Sequence, residues 1–81
     1  MSTEALKDLL ATLAEELVDE PDRVRVHEWT DGGAVVLELE VGRDDRGRVI
    51  GRQGRTARAL RTLVGAVGRQ RGVSCKVEIR D

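Results

Sequence analysis

Leu6, Leu9, Leu10, Leu13 and Leu17 recur at intervals that place them on one side of an α-helix. A helix is expected over 3–18, with Ser2 or Thr3 available to cap its first turn. Asp19-Glu20-Pro21-Asp22 ends it, because the residue before a proline is pushed out of the α region. The period then changes to two. Over 23–30, Val24 and Val26 alternate with Arg25, His27 and Trp29. Over 34–41, Val35, Leu37, Leu39 and Val41 alternate with Val36, Glu38 and Glu40. Both stretches read as half-buried strands, and Asp31-Gly32-Gly33 between them reads as a tight hairpin turn. The face carrying Val36, Glu38 and Glu40 is expected to be wet and partly acidic.

Helical spacing returns after a charged connection, Gly42 to Gly47. Asp44 or Asp45 can cap a short helix through Arg48, Val49 and Ile50. A glycine loop, 51–54, separates it from a longer helix over 54–68. At ~100° per residue, Ala57, Leu60, Leu63, Val64 and Val67 gather on one side of that helix. Arg55, Arg58, Thr62, Gly65 and Arg69 gather nearly opposite, with Arg61 at the border. Gly68 to Gly72 is expected to break the helix. Residues 73–80 form a last strand, in which Val73, Cys75, Val77 and Ile79 alternate with polar side chains. The order is α-β-β-α-α-β, an α+β fold of two layers, with a three-stranded mixed sheet and the helices on one face. About 31 residues with two helices separate the second and last strands, which suits a parallel, right-handed crossover. The second strand, the most apolar, is expected at the centre.

The chain has 81 residues, a size that predicts one small domain over 1–81. A single cysteine excludes an internal disulfide, and one histidine with one cysteine cannot close a four-ligand zinc site, so neither metal nor cofactor is expected. No basic region followed by an apolar run opens the chain, and no segment approaches ~20 apolar residues. A cytoplasmic protein without membrane contact is the expectation. The formal net charge of −1 hides a strong asymmetry: residues 1–42 sum to −8 and residues 43–81 to +7. Eight arginines and no acid lie between Arg46 and Arg71 inclusive. Such a block points to a polyanion partner, unless the two halves pair across the fold.

The glycines at 47, 51 and 54 do not match the G-x-G-x-x-G of dinucleotide folds, and no Gly-Lys-Ser/Thr follows. What remains is a helix, then Gly51-Arg52-Gln53-Gly54, then a helix. Gly51 can take positive φ and end the first helix. Gly54 leaves room for a ligand backbone beside the start of the second helix, whose free N–H groups and dipole favour an anion. For the loop in isolation, a plain glycine cap between two helices is the preferred account, because Gly-x-x-Gly is common.

With its context, "VIGRQG" resembles the V/I-I-G-x-x-G signature of the KH domain, and the element order is that of the type II KH fold. The stretch "GRVIGRQGRTARALRTLV" is similar to small bacterial proteins made of a single KH domain, and the resemblance extends over essentially the whole chain. It implies single-stranded RNA as partner, held with the backbone clamped at the Gly-x-x-Gly loop. On that reading Gly51 and Gly54 admit the backbone, and Arg52 and Gln53 contact phosphate or sugar. Arg48, Arg55 and Arg58 add charge, and Val49 and Ile50 form an apolar floor, with Ala57 leaving room. The loop Arg69-Gln70-Arg71-Gly72 corresponds to the type II variable loop. It is short, so weak sequence preference is expected, and the edge 74–77 bounds the far side of the groove. The resemblance also implies an RNA chaperone or post-transcriptional regulator that pairs with itself or with a larger KH-containing RNA-binding protein.

A chemistry-bearing alternative finds little support. Ser2, Thr56, Ser74 and Cys75 are the candidate nucleophiles, and the sole histidine lies in the first strand, distant in sequence from all four. Glu38 and Glu40 read as a solvated face, Cys75 as a small core residue. Trp29, the one aromatic residue, fits a sheet edge or interface better than a base-stacking platform. No enzyme is expected. The competing reading is a protein-interaction module with little RNA binding of its own.

Overall fold

A computed structural model describes residues 3–81. The elements are α1 (Glu4–Leu17), β1 (Arg25–Asp31), β2 (Ala34–Glu40), α2 (Arg46–Ile50), α3 (Arg55–Gln70) and β3 (Cys75–Ile79), with single 3-10 turns at Pro21–Arg23, Arg43–Asp45 and Arg52–Gly54. The order is the one the periodicity predicts. β2 is central, antiparallel to β1 and parallel to β3. The register sets Trp29 opposite Val36 and Val36 opposite Lys76.

The core lies between the sheet and the helices. Leu6, Leu10 and Ala14 of α1, Leu37 and Leu39 of β2, Val49 of α2, and Val64 of α3 are completely buried. Val24, Val41, Leu60 and Val77 complete the cluster. Each such aliphatic side chain contributes about 1.5–3 kcal/mol by leaving water. In α1 the buried line runs through Leu6, Leu10 and Ala14, whereas Leu17 is 38% exposed. The leucine stripe thus straddles two environments, one of them the cleft against α3.

Five expectations need correction. First, Val36 is not on a wet face: it is 2% exposed, flanked across the strands by Trp29 and Lys76. Nor is that face simply acidic. Arg80 pairs with both Glu38 (2.7 Å) and Glu40 (3.1 Å), and His27 Nε2 lies 2.7 Å from Glu40. Second, Asp45 does not cap α2. Its buried carboxylate accepts the main-chain N–H groups of Asp19 (3.0 Å) and Glu20 (3.1 Å) and so ties down the end of α1. Third, Thr3 does not cap α1; its hydroxyl donates to Glu28 at 2.7 Å, and Ser2 lies outside the described residues. Fourth, Leu63 is 47% exposed, and Gly65, expected among the exposed arginines, is buried. Fifth, α3 does not stop at Gly68. A Cβ at 68 would lie 2.9 Å from the Val73 carbonyl, so the glycine serves close packing, and the helix runs on to Gln70. The connection to β3 is correspondingly displaced from 69–72 to 71–74.

Candidate functional site

α2 has only five residues and ends when the Gly51 N–H donates to the Gly47 carbonyl at 2.8 Å. Gly51 then takes φ +77°, ψ 169°, a conformation open essentially to glycine alone. A Cβ at this position would lie 2.8 Å from the main-chain nitrogen of Thr56. The missing side chain is what lets the first turn of α3 fold against the end of α2. Gly54 differs. Its φ is +73°, and nothing lies within 4 Å of where its Cβ would stand, so the space beside it is open to solvent. Between them Gln53, with φ +58°, is the one described non-glycine residue in the left-handed region. That region costs an L-residue about 1–2 kcal/mol. The loop therefore holds two successive left-handed residues immediately before α3, and the N-cap of α3 is a glycine that supplies no side-chain cap.

Arg52, Gln53, Arg55 and Arg58 are exposed around this turn. Arg55 donates to the Gln53 side-chain oxygen at 3.1 Å. Ile50, 40% exposed, offers an apolar surface next to Gly51. Three residues grouped with them in sequence stand elsewhere. Val49 is fully buried and anchors α2 to the core, so it cannot floor an open groove. Arg48 is committed to Asp19 at 2.9 Å and to Asp45 at 3.4 Å, on the side of α2 facing the end of α1. Ala57, at 4% exposed, is core as well.

From the buried line of Ala57, Leu60, Val64 and Gly68, α3 presents two rims. One carries Arg58, Arg61, Gly65 and Arg69 and runs along β3. The other carries Ala59 and Leu63, which with Leu13, Leu17, Thr56 and Leu60 line an apolar cleft of about 310 Å³ against α1. β3 is the outer strand on its side of the sheet. Its ladder to β2 uses the Ser74 carbonyl (from Val35 N–H, 2.8 Å) and the Arg80 N–H (to Leu39 carbonyl, 2.9 Å). By the two-residue period, the main-chain groups of Cys75, Val77 and Ile79 turn outward. Arg61 confirms that direction: its Nε–H donates to the Val77 carbonyl at 3.1 Å. The arginine rim and an unpaired strand edge thus form the two sides of one groove that begins at the Gly51–Gly54 turn.

Arg61 and Arg69 were not among the site residues expected from sequence. Helical spacing placed Arg61 at a border, and only the lie of α3 along β3 turns that border into a groove wall. The expectation that the two charged halves neutralise each other is met at Arg48 and Arg80. It is not met at Arg52, Arg55, Arg58, Arg61 and Arg69, which have no acidic partner among the described residues. Burial, then the nearby Glu28 charge, pushes the Cys75 thiol up, which keeps it protonated and weakly nucleophilic. Among the described residues no group of three or more His, Cys, Asp or Glu is placed to hold a metal ion, and no helix is long and apolar enough to cross a membrane.

Residues 7–79 match the family model described as KhpA/KhpB, KH domain. The chain is 51% identical over 75 residues to the RNA-binding protein KhpA of Aquifex aeolicus, covering 93% of this chain and 95% of the relative. It is 53% identical over 76 residues to the RNA-binding protein KhpA of Streptomyces coelicolor, covering 94% and 92%. With the RNA-binding protein KhpA of Bacillus subtilis it shares 42% identity over 81 residues, the full length of both. The relatives carry the name of a binding protein, not of an enzyme. With its α-β-β-α-α-β order and its middle and last strands parallel, the chain belongs to the KhpA/KhpB family of type II KH domains.

Proposed function

We propose that the chain, as a single KH domain, binds single-stranded RNA in the groove between the arginine rim of α3 and the outer edge of β3. The backbone crosses the Gly51–Gly54 turn. The observation that carries this reading is the row of arginines, Arg52, Arg55, Arg58, Arg61 and Arg69, left without acids along an open strand edge. Arg52, Gln53, Arg55 and Arg58 meet phosphate and sugar, and Ile50 supplies the apolar contact for a base. Gly51 shapes the turn and Gly54 leaves the space for the backbone. Arg48 adds only to the general positive field. With no aromatic residue in the groove, sequence preference is weak, which suits an RNA chaperone or post-transcriptional regulator acting in the cytoplasm.

The groove admits about four nucleotides. Pairing would raise affinity for longer RNA by effective concentration. The occupant of the α1–α3 apolar cleft is a second copy of this chain. Leu17 and Leu63 are its exposed apolar anchors, and a two-fold arrangement sets the same cleft of each copy against the other. A larger KH-containing RNA-binding protein is the other candidate for that face.

Titration of labelled single-stranded RNA into wild type and the Arg52→Asp/Gln53→Asp double variant tests the groove. The variant is expected to keep its melting temperature and lose at least about tenfold in affinity. Wild-type affinity should fall with salt at a log–log slope of about −2 to −3, from ~0.7 per phosphate for three or four contacts. A folded double variant that binds as well as wild type, or binding indifferent to salt, would instead favour a protein-interaction module.

A further inference from the structure

The charged connection between β2 and α2 borders a cavity of about 340 Å³ that the groove does not use. Four arginines line it: Arg23 and Arg25 from the approach to β1, and Arg43 and Arg46 from the approach to α2. Arg25 is held in place, since its Nη1 donates to the main-chain carbonyls of Asp22 (2.9 Å) and Val24 (2.8 Å). Arg23 lies against Gly42, where a Cβ would come within 3.1 Å of the arginine Cδ, and it pairs with Glu20 at 3.1 Å. Arg43 and Arg46 have no acidic partner among the described residues, although Arg46 is half-buried. Two carboxylates share the lining. Glu40 is engaged by His27 (2.7 Å) and Arg80 (3.1 Å), which leaves Asp22 as the one unengaged acid against four guanidinium groups.

Helical spacing connects this cavity to the Gly51–Gly54 turn. Arg43, Arg46 and Ile50 fall at i, i+3 and i+7, so they stand in line along the 3-10 turn and α2. Arg48 and Val49 occupy the other sides, turned to Asp19 and to the core. At ~2 Å per residue in the 3-10 turn and ~1.5 Å in the helix, the line covers about 12 Å and ends next to Gly51.

We propose that this cavity is a second phosphate site, outside the groove, which holds the backbone of an RNA strand that runs on past the Gly51–Gly54 turn and along α2. The inference rests on the RNA reading above. A guanidinium fork matches phosphate oxygens two at a time. Arg43 and Arg46 meet them without giving up an ion pair, and the fixed Arg25 adds charge behind them. A stacked strand advances ~3.4 Å per nucleotide, so the 12 Å along α2 takes about four. With about four nucleotides in the groove, the footprint becomes about eight. Contacts to phosphate carry no sequence information. The site therefore adds affinity and salt dependence without adding base preference.

The test compares oligomers of four and of eight uridines on wild type and on the Arg43→Gln/Arg46→Gln double variant, across a salt series. The variant removes no ion pair and should melt with wild type. It is expected to bind the four-uridine oligomer within about twofold of wild type and to lose roughly tenfold on the eight-uridine oligomer. The log–log salt slope for the longer oligomer should become shallower by about 1.4, from ~0.7 for each of two lost phosphate contacts. Bridging of two copies is common to both proteins and cancels in the comparison. The inference is overturned if the folded variant binds eight uridines as wild type does. It is also overturned if the variant loses equally on both lengths, because the two arginines then act on the groove itself. Wild type that binds neither oligomer overturns the RNA reading, so the two failures are distinguishable.

Discussion

Two glycines three residues apart have different duties here. Gly51 is a packing position: its φ of +77° with ψ 169° and the Thr56 backbone leave no place for a methyl group. At Gly54 only the φ of +73° would strain a side chain, since open space lies beyond. Gly51→Ala is therefore expected to cost about 3 kcal/mol or more in denaturant unfolding, since backbone strain of 1–3 kcal/mol adds to a steric clash. Gly54→Ala should cost about 1 kcal/mol. It should nevertheless weaken RNA binding, because its new methyl group stands where the backbone is placed. Equal stability losses in parallel melts of the two variants would contradict this division. Gln53 shows the same loop from another side. A left-handed glutamine is a conformational cost borne at the turn proposed to hold the RNA.

Among the elements, the sheet shows how strand register converts a charge pattern into a neutral surface. Glu38 and Glu40 alternate outward on β2, and by sequence they form an acidic strip. Arg80 arrives beside them only because β3 pairs parallel in the observed register. The hydrogen bond from His27, followed by the Arg80 charge, holds the Glu40 carboxyl below its ordinary 4.5. A carboxylate with a depressed folded value adds stability that is fully present above the unfolded value. That contribution fades as pH falls through the window from 4.5 down to the folded value. The difference in urea midpoint between wild type and Glu40→Gln should thus be steady from pH 7 to about 5 and shrink below 4.5. A difference that grows on acidification would reverse the assignment. The group is exposed and the effect is small.

For the molecule as a whole, the distribution of surface types matters more than the near-zero net charge. α3 separates an arginine rim beside β3 from an apolar rim beside α1, so the proposed RNA groove and the apolar cleft lie on different sides of the helix. Leu63, 47% exposed, can be changed without opening the core. Leu63→Asp is expected to stay folded and to sediment as an 8.9 kDa monomer at concentrations where wild type pairs. It should keep its affinity for a four-nucleotide RNA and lose roughly tenfold or more on RNA long enough to bridge two grooves. Wild type that is monomeric at every concentration would remove self-pairing and leave the cleft to a different KH protein.

The elements were legible in the chain because each rests on local causes. Leucine spacing, alternation in the strands, the proline after α1 and the glycines at 51 and 54 act over a few residues, and the periods of helix and strand follow from backbone geometry alone. The element order and the central place of β2 came from the same signals. The membership of the site was legible only in part. Arg52, Gln53, Arg55 and Arg58 were expected together because they adjoin the turn, and all four are exposed around it. Val49 and Arg48 stand elsewhere because residues of one short helix point in different directions, Val49 into the core and Arg48 toward Asp19, 29 positions away in the chain. Arg61 and Arg69 were missed for the complementary reason. An arginine becomes a groove wall only when a strand edge lies opposite, and the distance from α3 to β3 is a property of packing between elements, which no local period encodes.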